Sequence, residues 1–279
     1  MRQSIAFVLL CLVLAAYSFS AQAAADGRQI PVEDLAHEMA LRYQDRMPTR
    51  WSDRGAGIVS VLPDPLYCSI APIDIPDAVS SHGQMPQRGV ALTLDACDSK
   101  TDMRIIALFR ELRIPATLFV TNRWLHGNAT LAADLASDPL FSLEAHGVRH
   151  KPASVAGWPA YGIPGTESIA ALVDEVENNA RAIAAVTGKR PHWYRSGTAF
   201  YDDVALLVIH DLGFSVAGFS INADQGATLS SKTVAQRLLS AKDGDILLLH
   251  VNRPKSGTFE GLKEALPKME AAGIQFVGL

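Results

Sequence analysis

Cysteine is scarce in this chain, no charge sign dominates it, and long apolar runs are missing from all but its first residues. Three cysteines in 279 residues cannot staple a disulfide scaffold, so the fold has to rest on an apolar core. Lys and Arg number 25 against 29 Asp and Glu, a net charge of −4 without basic runs, which argues against a binder of nucleic acid or anionic membrane. Collagen-like, coiled-coil and low-complexity patterns are absent, and a 48% hydrophobic share excludes intrinsic disorder. No glycine-rich phosphate loop follows the first apolar strand: DACDSK stands there, which removes nucleotide binding as a first expectation. What the chain does have is length for one large domain or two small ones, and a modest surplus of eight histidines.

The N-terminus has the pattern of a secretory signal peptide. Arg2 supplies a positive start, residues 5–16 an apolar stretch, and Ala21-Gln22-Ala23 a cleavage site. The stretch falls short of the roughly 20 residues that a transmembrane helix needs. The expectation is an exported protein, periplasmic or secreted, with residues 1–23 removed and no membrane span thereafter. Cys11 goes with the signal, leaving Cys68 and Cys97, which could form one disulfide.

Residues 24–88 read as an N-terminal extension packed on the main domain. Pro31 starts a helix with Leu35, Met39 and Tyr43 on one face, and the chain then turns irregular up to Gly89. From 89 to 279 strands and helices alternate. Apolar strands are predicted at 90–96, 116–121, 142–146, 192–195, 214–221, 245–250 and 274–279. A long helix over 166–187 carries Ile169, Leu172, Val173, Val176 and Ile183 on one face and ends at Gly188. Apolar strands interleaved with helices imply a parallel sheet, here a distorted, incompletely closed (β/α)7-type barrel, with an open doubly wound sheet as the competitor.

Five ionisable residues fall at predicted strand ends, where parallel β/α folds collect their chemistry: Asp95, His146, Arg195, Asp224 and His250. His146 and His150 form an H-x-x-x-H pair that a helical turn would aim at one ion, and imidazole with carboxylate suits zinc. Asp95, closing an apolar strand, needs a partner, and Arg195 is the obvious one. His250 reads as a general acid tuned by a carboxylate such as Asp224.

The order LTLDAC, HGVRH, WYRSG, INAD and ILLLH resembles the NodB-type polysaccharide deacetylases, carbohydrate esterase family 4, over roughly residues 88–279. The resemblance implies metal-dependent removal of N- or O-linked acetyl groups from a glycan, the partner molecule expected here. It assigns Asp95 as catalytic base, Arg195 as its holder, His250 as general acid with Asp224 beside it, and His146 and His150 as metal ligands. Metal-activated water would attack the acetyl carbonyl, with a backbone amide near residues 197–198 stabilising the oxyanion.

The chain also departs from the family pattern. Ala96 stands where the family's third metal ligand belongs. Asp102 is the preferred replacement, with Asp98, Asp95, water or a Cys97 thiolate as alternatives; for Asp102 a plain helix N-cap competes. YRSGTAFYD replaces the family's R-P-P-Y-G, and the aromatic run GWPAYG at 157–162, with Trp124 and Trp193, offers faces for sugar rings. Two other functions remain open on this evidence: an amidase acting on a non-glycan C–N bond, and a catalytically weakened glycan-binding protein.

Overall fold

The computed structural model describes residues 30–53 and 89–279. The expected signal peptide, most of the extension, and Cys68 with its possible bridge lie outside the described residues.

The described part of the extension contributes one helix and one short strand. Helix α1 (Val32–Tyr43) starts after Pro31 and buries Val32, Ala36, Met39 and Tyr43, the i, i+4, i+7, i+11 spacing of one apolar face, with the expected Leu35 half-buried against the same core. It lies along α5 (Ile169–Thr187) and is tied to α6 (Asp203–Asp211), where Asp211 accepts bonds from Arg42 and Tyr43 at 2.6 Å each. Strand β1 (Trp51–Asp53) pairs antiparallel with β6 (Phe200–Asp202) in a two-stranded ribbon apart from the main sheet.

The main sheet is parallel throughout. Its strands are β2 (Val90–Ala96), β3 (Ala116–Val120), β4 (Phe141–Ala145), β5 (Trp193–Tyr194), β7 (Ser215–Val216), β8 (Ile221–Asn222), β9 (Ile246–His250) and β10 (Phe276–Val277). Between them run α2 (Met103–Leu112), α3 (Asn122–Gly127), α4 (Ala129–Ser137), α7 (Ser231–Leu239) and α8 (Thr258–Ala271). The lateral order is β7-β5-β4-β3-β2-β9-β8, with β10 on the first residues of β2. Ala91 already pairs with Ile246 of β9, so β10 occupies the opposite edge of β2, below the point where β3 begins.

Chain length forces this sheet to curl. Strands β7 and β8 are its two outer members, yet only residues 217–220 separate them. Laid flat at about 4.8 Å per strand, seven strands would hold the outer two roughly 29 Å apart. The chain from Val216 to Ile221 spans at most about 18 Å. The sheet therefore bends into a nearly closed barrel, as the fold expectation required. The expected single strand at 214–221 is thereby corrected: it is two short strands on opposite sides of a seam, with 217–220 as the bridge between them.

Alternation divides β2 between two environments. Val90, Leu92, Leu94 and Ala96 join the large outer core with the helices, while Ala91 belongs to a small inner cluster with Phe219, Ile246 and Leu248. Thr93 and Asp95 share the inner side, where Arg195 reaches both. No helix among the described residues is long and apolar enough to cross a membrane.

Candidate active site

Parallel pairing delivers the reactive groups to one rim. Asp95 lies beside Phe119 of β3 on one hand and His250 of β9 on the other. His146 immediately follows β4, Arg195 follows β5, and Asp224 follows β8.

Arg195 is the central tie. Fully buried, it donates from Nη1 to Asp95 Oδ1 at 2.8 Å and to Thr93 Oγ1 at 2.9 Å. Its Nε and Nη2 reach the carbonyls of Ala217 and Gly218 at 3.2 and 2.8 Å, and its guanidinium lies 4.2 Å above the Phe119 ring. Burial alone would push the Asp95 carboxyl up; His146 when protonated, the Arg195 guanidinium and His250 outweigh it and hold the group below its ordinary value. With Oδ1 engaged by Arg195, Oδ2 faces His146 Nε2 at 3.5 Å.

His146 and His150 meet, though not on a helix. The expected helical turn is corrected: the chain leaves β4 as a loop in which Gly147 has φ 88° and His150 φ 62°. The two rings stand 4.9 Å apart, edge to face. Two side chains of α5 hold this loop. Asn179 Oδ1 accepts the N–H groups of His146 and Gly147 at 2.8 and 2.9 Å, and its Nδ2 donates to Val120 O and Asn122 Oδ1. Glu175 Oε1 accepts the N–H groups of Arg149 and Lys151, on either side of His150. A Cβ on Gly147 would stand 2.5 Å from that same Oε1, so only glycine lets the carboxylate in. Neither Glu175 nor Asn179 was found from the motifs. Their signal was available all the same: two polar residues at i, i+4 on the buried face of a helix.

The donors fit a divalent cation. His146 Nδ1 bonds the carbonyl of Arg195 at 2.8 Å, which makes Nδ1 the protonated nitrogen and turns the Nε2 lone pair inward. Burial pushes the pKa of His146 down and that of His150 down to about 3, so both rings are neutral and ready to ligate. The third donor beside them is Cys97, half-buried, with Sγ 3.7 Å from His146 Nε2. Ligand atoms of Cys97, His146 and His150 all lie within 4.8 Å of one another. Burial pushes the Cys97 thiol well above its ordinary value, so a metal held there would displace a proton.

Asp102 is not brought into this cluster. Its carboxylate caps α2, accepting Arg104 N–H at 3.2 Å, and is held by Arg104 Nε and Nη2 at 2.9 and 2.7 Å. Asp98 pairs with Arg253 at 3.2 Å and accepts from Lys100 N–H. Both are accounted for by local structure, and the third donor beside the two imidazoles is the Cys97 thiol.

Across the rim, His250 Nδ1 is 2.8 Å from Asp224 Oδ1, while Asp224 Oδ2 accepts His250 N–H and the Thr258 hydroxyl. Burial opposes a charge on His250, but Asp224 outweighs it and raises the pKa. Of the aromatics singled out in the sequence, Trp124 is a core residue bonded to Thr101 and Trp193 lines the inner barrel; Trp158 and Tyr161 stand in the loop that follows His150.

Comparison with known proteins agrees with this fold. Residues 82–217 match the family described as polysaccharide deacetylase. The chain is 24% identical over 193 residues to a bifunctional xylanase/deacetylase of Pseudobutyrivibrio xylanivorans, covering 68% of this chain but only 30% of that protein. A family 4 carbohydrate esterase from Streptomyces lividans, solved in complex with acetate, superposes with a TM-score of 0.58 at 18% identity, covering 68% of this chain and 91% of that one. A family 4 pseudoenzyme from Bacillus anthracis gives a TM-score of 0.58 at 19% identity, covering 69% and 64% of the two chains. Family match, barrel and motif order converge: residues 82–217 match the polysaccharide deacetylase family, and the fold is that of the family 4 carbohydrate esterases.

Proposed function

We propose that this protein is an exported, metal-dependent hydrolase that removes acetyl groups from a glycan, with Asp95 as base and His250 as acid. The observation that carries the reading is the meeting, on one barrel rim, of two neutral imidazoles and a thiol with an Arg195-held carboxylate and an Asp224-held histidine. A binding protein has no need of that set. The N-terminal pattern of Arg2, an apolar stretch and Ala21-Gln22-Ala23 supports export.

His146, His150 and Cys97 would hold the ion, zinc by donor type. When bound, such an ion supplies Lewis acidity, polarising an acyl oxygen and making water acidic enough to attack near neutral pH. Asp95, ionised because Arg195 and the Asp224-held His250 favour its charge, takes the proton from the attacking water. Gly197 N–H is occupied by Lys151 O at 3.2 Å, so the oxyanion falls to the amide of Thr198. His250 points its Nε2 away from Asp224 and delivers a proton to the departing amine or alcohol, a contribution of roughly 10²–10⁴-fold.

Purified protein stripped of metal and reloaded with zinc should release acetate from at least one of chitooligosaccharides, acetylated peptidoglycan and acetylated xylan. Asp95→Asn should lose at least 10³-fold in kcat. Acetate from none of the three, or an Asp95→Asn protein as active as wild type, overturns the reading.

A further inference from the structure

Four large aromatic side chains near the rim serve no part of the core. Trp51, Trp158, Tyr161 and Phe200 join none of the hydrophobic clusters among the described residues. They pack on one another instead. Trp51 lies 5.4 Å from Phe200 and 5.8 Å from Trp158, and Tyr161 stands edge-on to Phe200 at 5.5 Å. Three separate stretches of chain supply them: β1, the loop after His150, and β6.

The backbone goes to some cost to place these rings. Tyr161 is 77% exposed at the tip of a tight turn closed by reciprocal bonds between Ala160 and Ile163 at 3.0 and 2.9 Å. Tyr161 and Gly162 have φ 52° and 77°. A left-handed conformation is ordinary for the glycine and uncommon for a bulky aromatic residue. Strain of this kind persists where the surroundings impose it and marks sites of function. The rest of the loop is fastened down: Trp158 N–H bonds Ser154 Oγ at 3.0 Å, and Val155 N–H bonds Asp202 Oδ2 of β6 at 2.7 Å. A fixed aromatic face results, with Tyr161 exposed and the other three rings half-buried.

It adjoins the catalytic rim. Gly197, three residues before Phe200, lies so close to His150 that a Cβ there would stand 2.3–2.5 Å from the His150 main chain. Ala153 N–H, in the His150 loop, bonds the carbonyl of Phe200 at 3.0 Å. A polymer chain presenting one acetyl group to His150 and Asp95 would therefore run over these rings.

We propose that Trp51, Trp158, Tyr161 and Phe200 form a stacking subsite for pyranose units flanking the acetylated sugar, so that the protein selects glycan chains over short fragments. A pyranose has an apolar C–H face edged with hydroxyls; that face packs on aromatic rings while the hydroxyls stay hydrated. β1 makes the extension part of the substrate site, since Trp51 comes from it. The inference rests on the deacetylase reading for its substrate class, and its test separates the two.

The experiment uses the full chain carrying Asp95→Asn, so that ligand is bound without turnover. Hexamers and dimers of N-acetylglucosamine and of acetylated xylose are titrated by calorimetry and tryptophan fluorescence, with acetate release by the Asp95 protein measured in parallel. At least one hexamer should bind at least tenfold tighter than its dimer, and Tyr161→Ala and Trp51→Ala should each weaken the hexamer at least tenfold. Tyr161 lies at an exposed turn tip, so its truncation leaves the fold standing if loss of Trp51 loosens the ribbon. Equal hexamer binding by wild-type and variant rings, or no hexamer binding at all, overturns the subsite. Ring-dependent binding without acetate release by the Asp95 protein would uphold the subsite and overturn the hydrolase. Acetate release with ring-independent binding would do the reverse.

Discussion

Sulfur at position 97 sets what the proposed metal site would prefer. Thiolate with imidazole selects zinc, cobalt and softer ions, where a carboxylate in that position would tolerate harder ones. Cobalt-loaded wild-type protein should therefore show sulfur-to-cobalt charge-transfer absorption, and Cys97→Ser should lose that band and at least tenfold in affinity. A band unchanged in Cys97→Ser removes Cys97 from the ligand set. His250 offers a second residue-level prediction. Its proton is held by Asp224, so activity should fall as pH rises through the raised pKa of His250. Without the Asp224 charge that pKa drops, and the descending limb of the pH–rate profile should move to lower pH in Asp224→Asn. An unshifted limb would assign the proton donor elsewhere.

Elements decide why some of the site could be read in the sequence and some could not. Strand-end residues were legible because a parallel barrel brings strand ends together whatever the loops do: Asp95, His146, Arg195, Asp224 and His250 follow from that rule alone. Loop conformation was not. H-x-x-x-H fits a helical turn, but Gly147 and His150 take left-handed backbone, and Glu175 and Asn179 of α5 hold them there. Nothing local to HGVRH announces partners about thirty residues away. Asp102 was a choice between two roles that spacing could not separate, and the backbone separates them: at the start of α2 its carboxylate serves Arg104 and the first turn. Asp102→Ala should cost about 1 kcal/mol of stability, as loss of an N-cap does, and leave metal affinity within twofold. Denaturant melts and a zinc titration on the same variant check both; a tenfold loss of affinity would return Asp102 to the metal.

On the scale of the whole molecule, the described part of the extension acts as a brace. Helix α1 lies on α5, the helix that carries Glu175 and Asn179, and β1 lies on the ribbon that follows Arg195. The extension was expected to pack on the main domain; that it would touch both supports of the site was not evident, because contact between distant segments leaves no periodic trace. The barrel itself was foreseen, but its seam was not, since FSVAGFSI reads as one continuous strand.

That seam has a dynamic consequence. Strands β7 and β8 hold two residues each, and between them Arg195 bonds the carbonyls of Ala217 and Gly218, doing for the seam what a neighbouring strand does elsewhere. Amide hydrogen exchange at residues 215–222 should outpace that of β2, β3 and β9, through local opening well below the free energy of global unfolding. Arg195→Lys keeps the charge but not the fork, and should speed exchange there specifically. Uniform exchange around the barrel would show the ring to be equally closed everywhere. If the seam does open first, each opening also releases the partner of Asp95, and the fraction of molecules with that carboxylate correctly held becomes a property of barrel breathing.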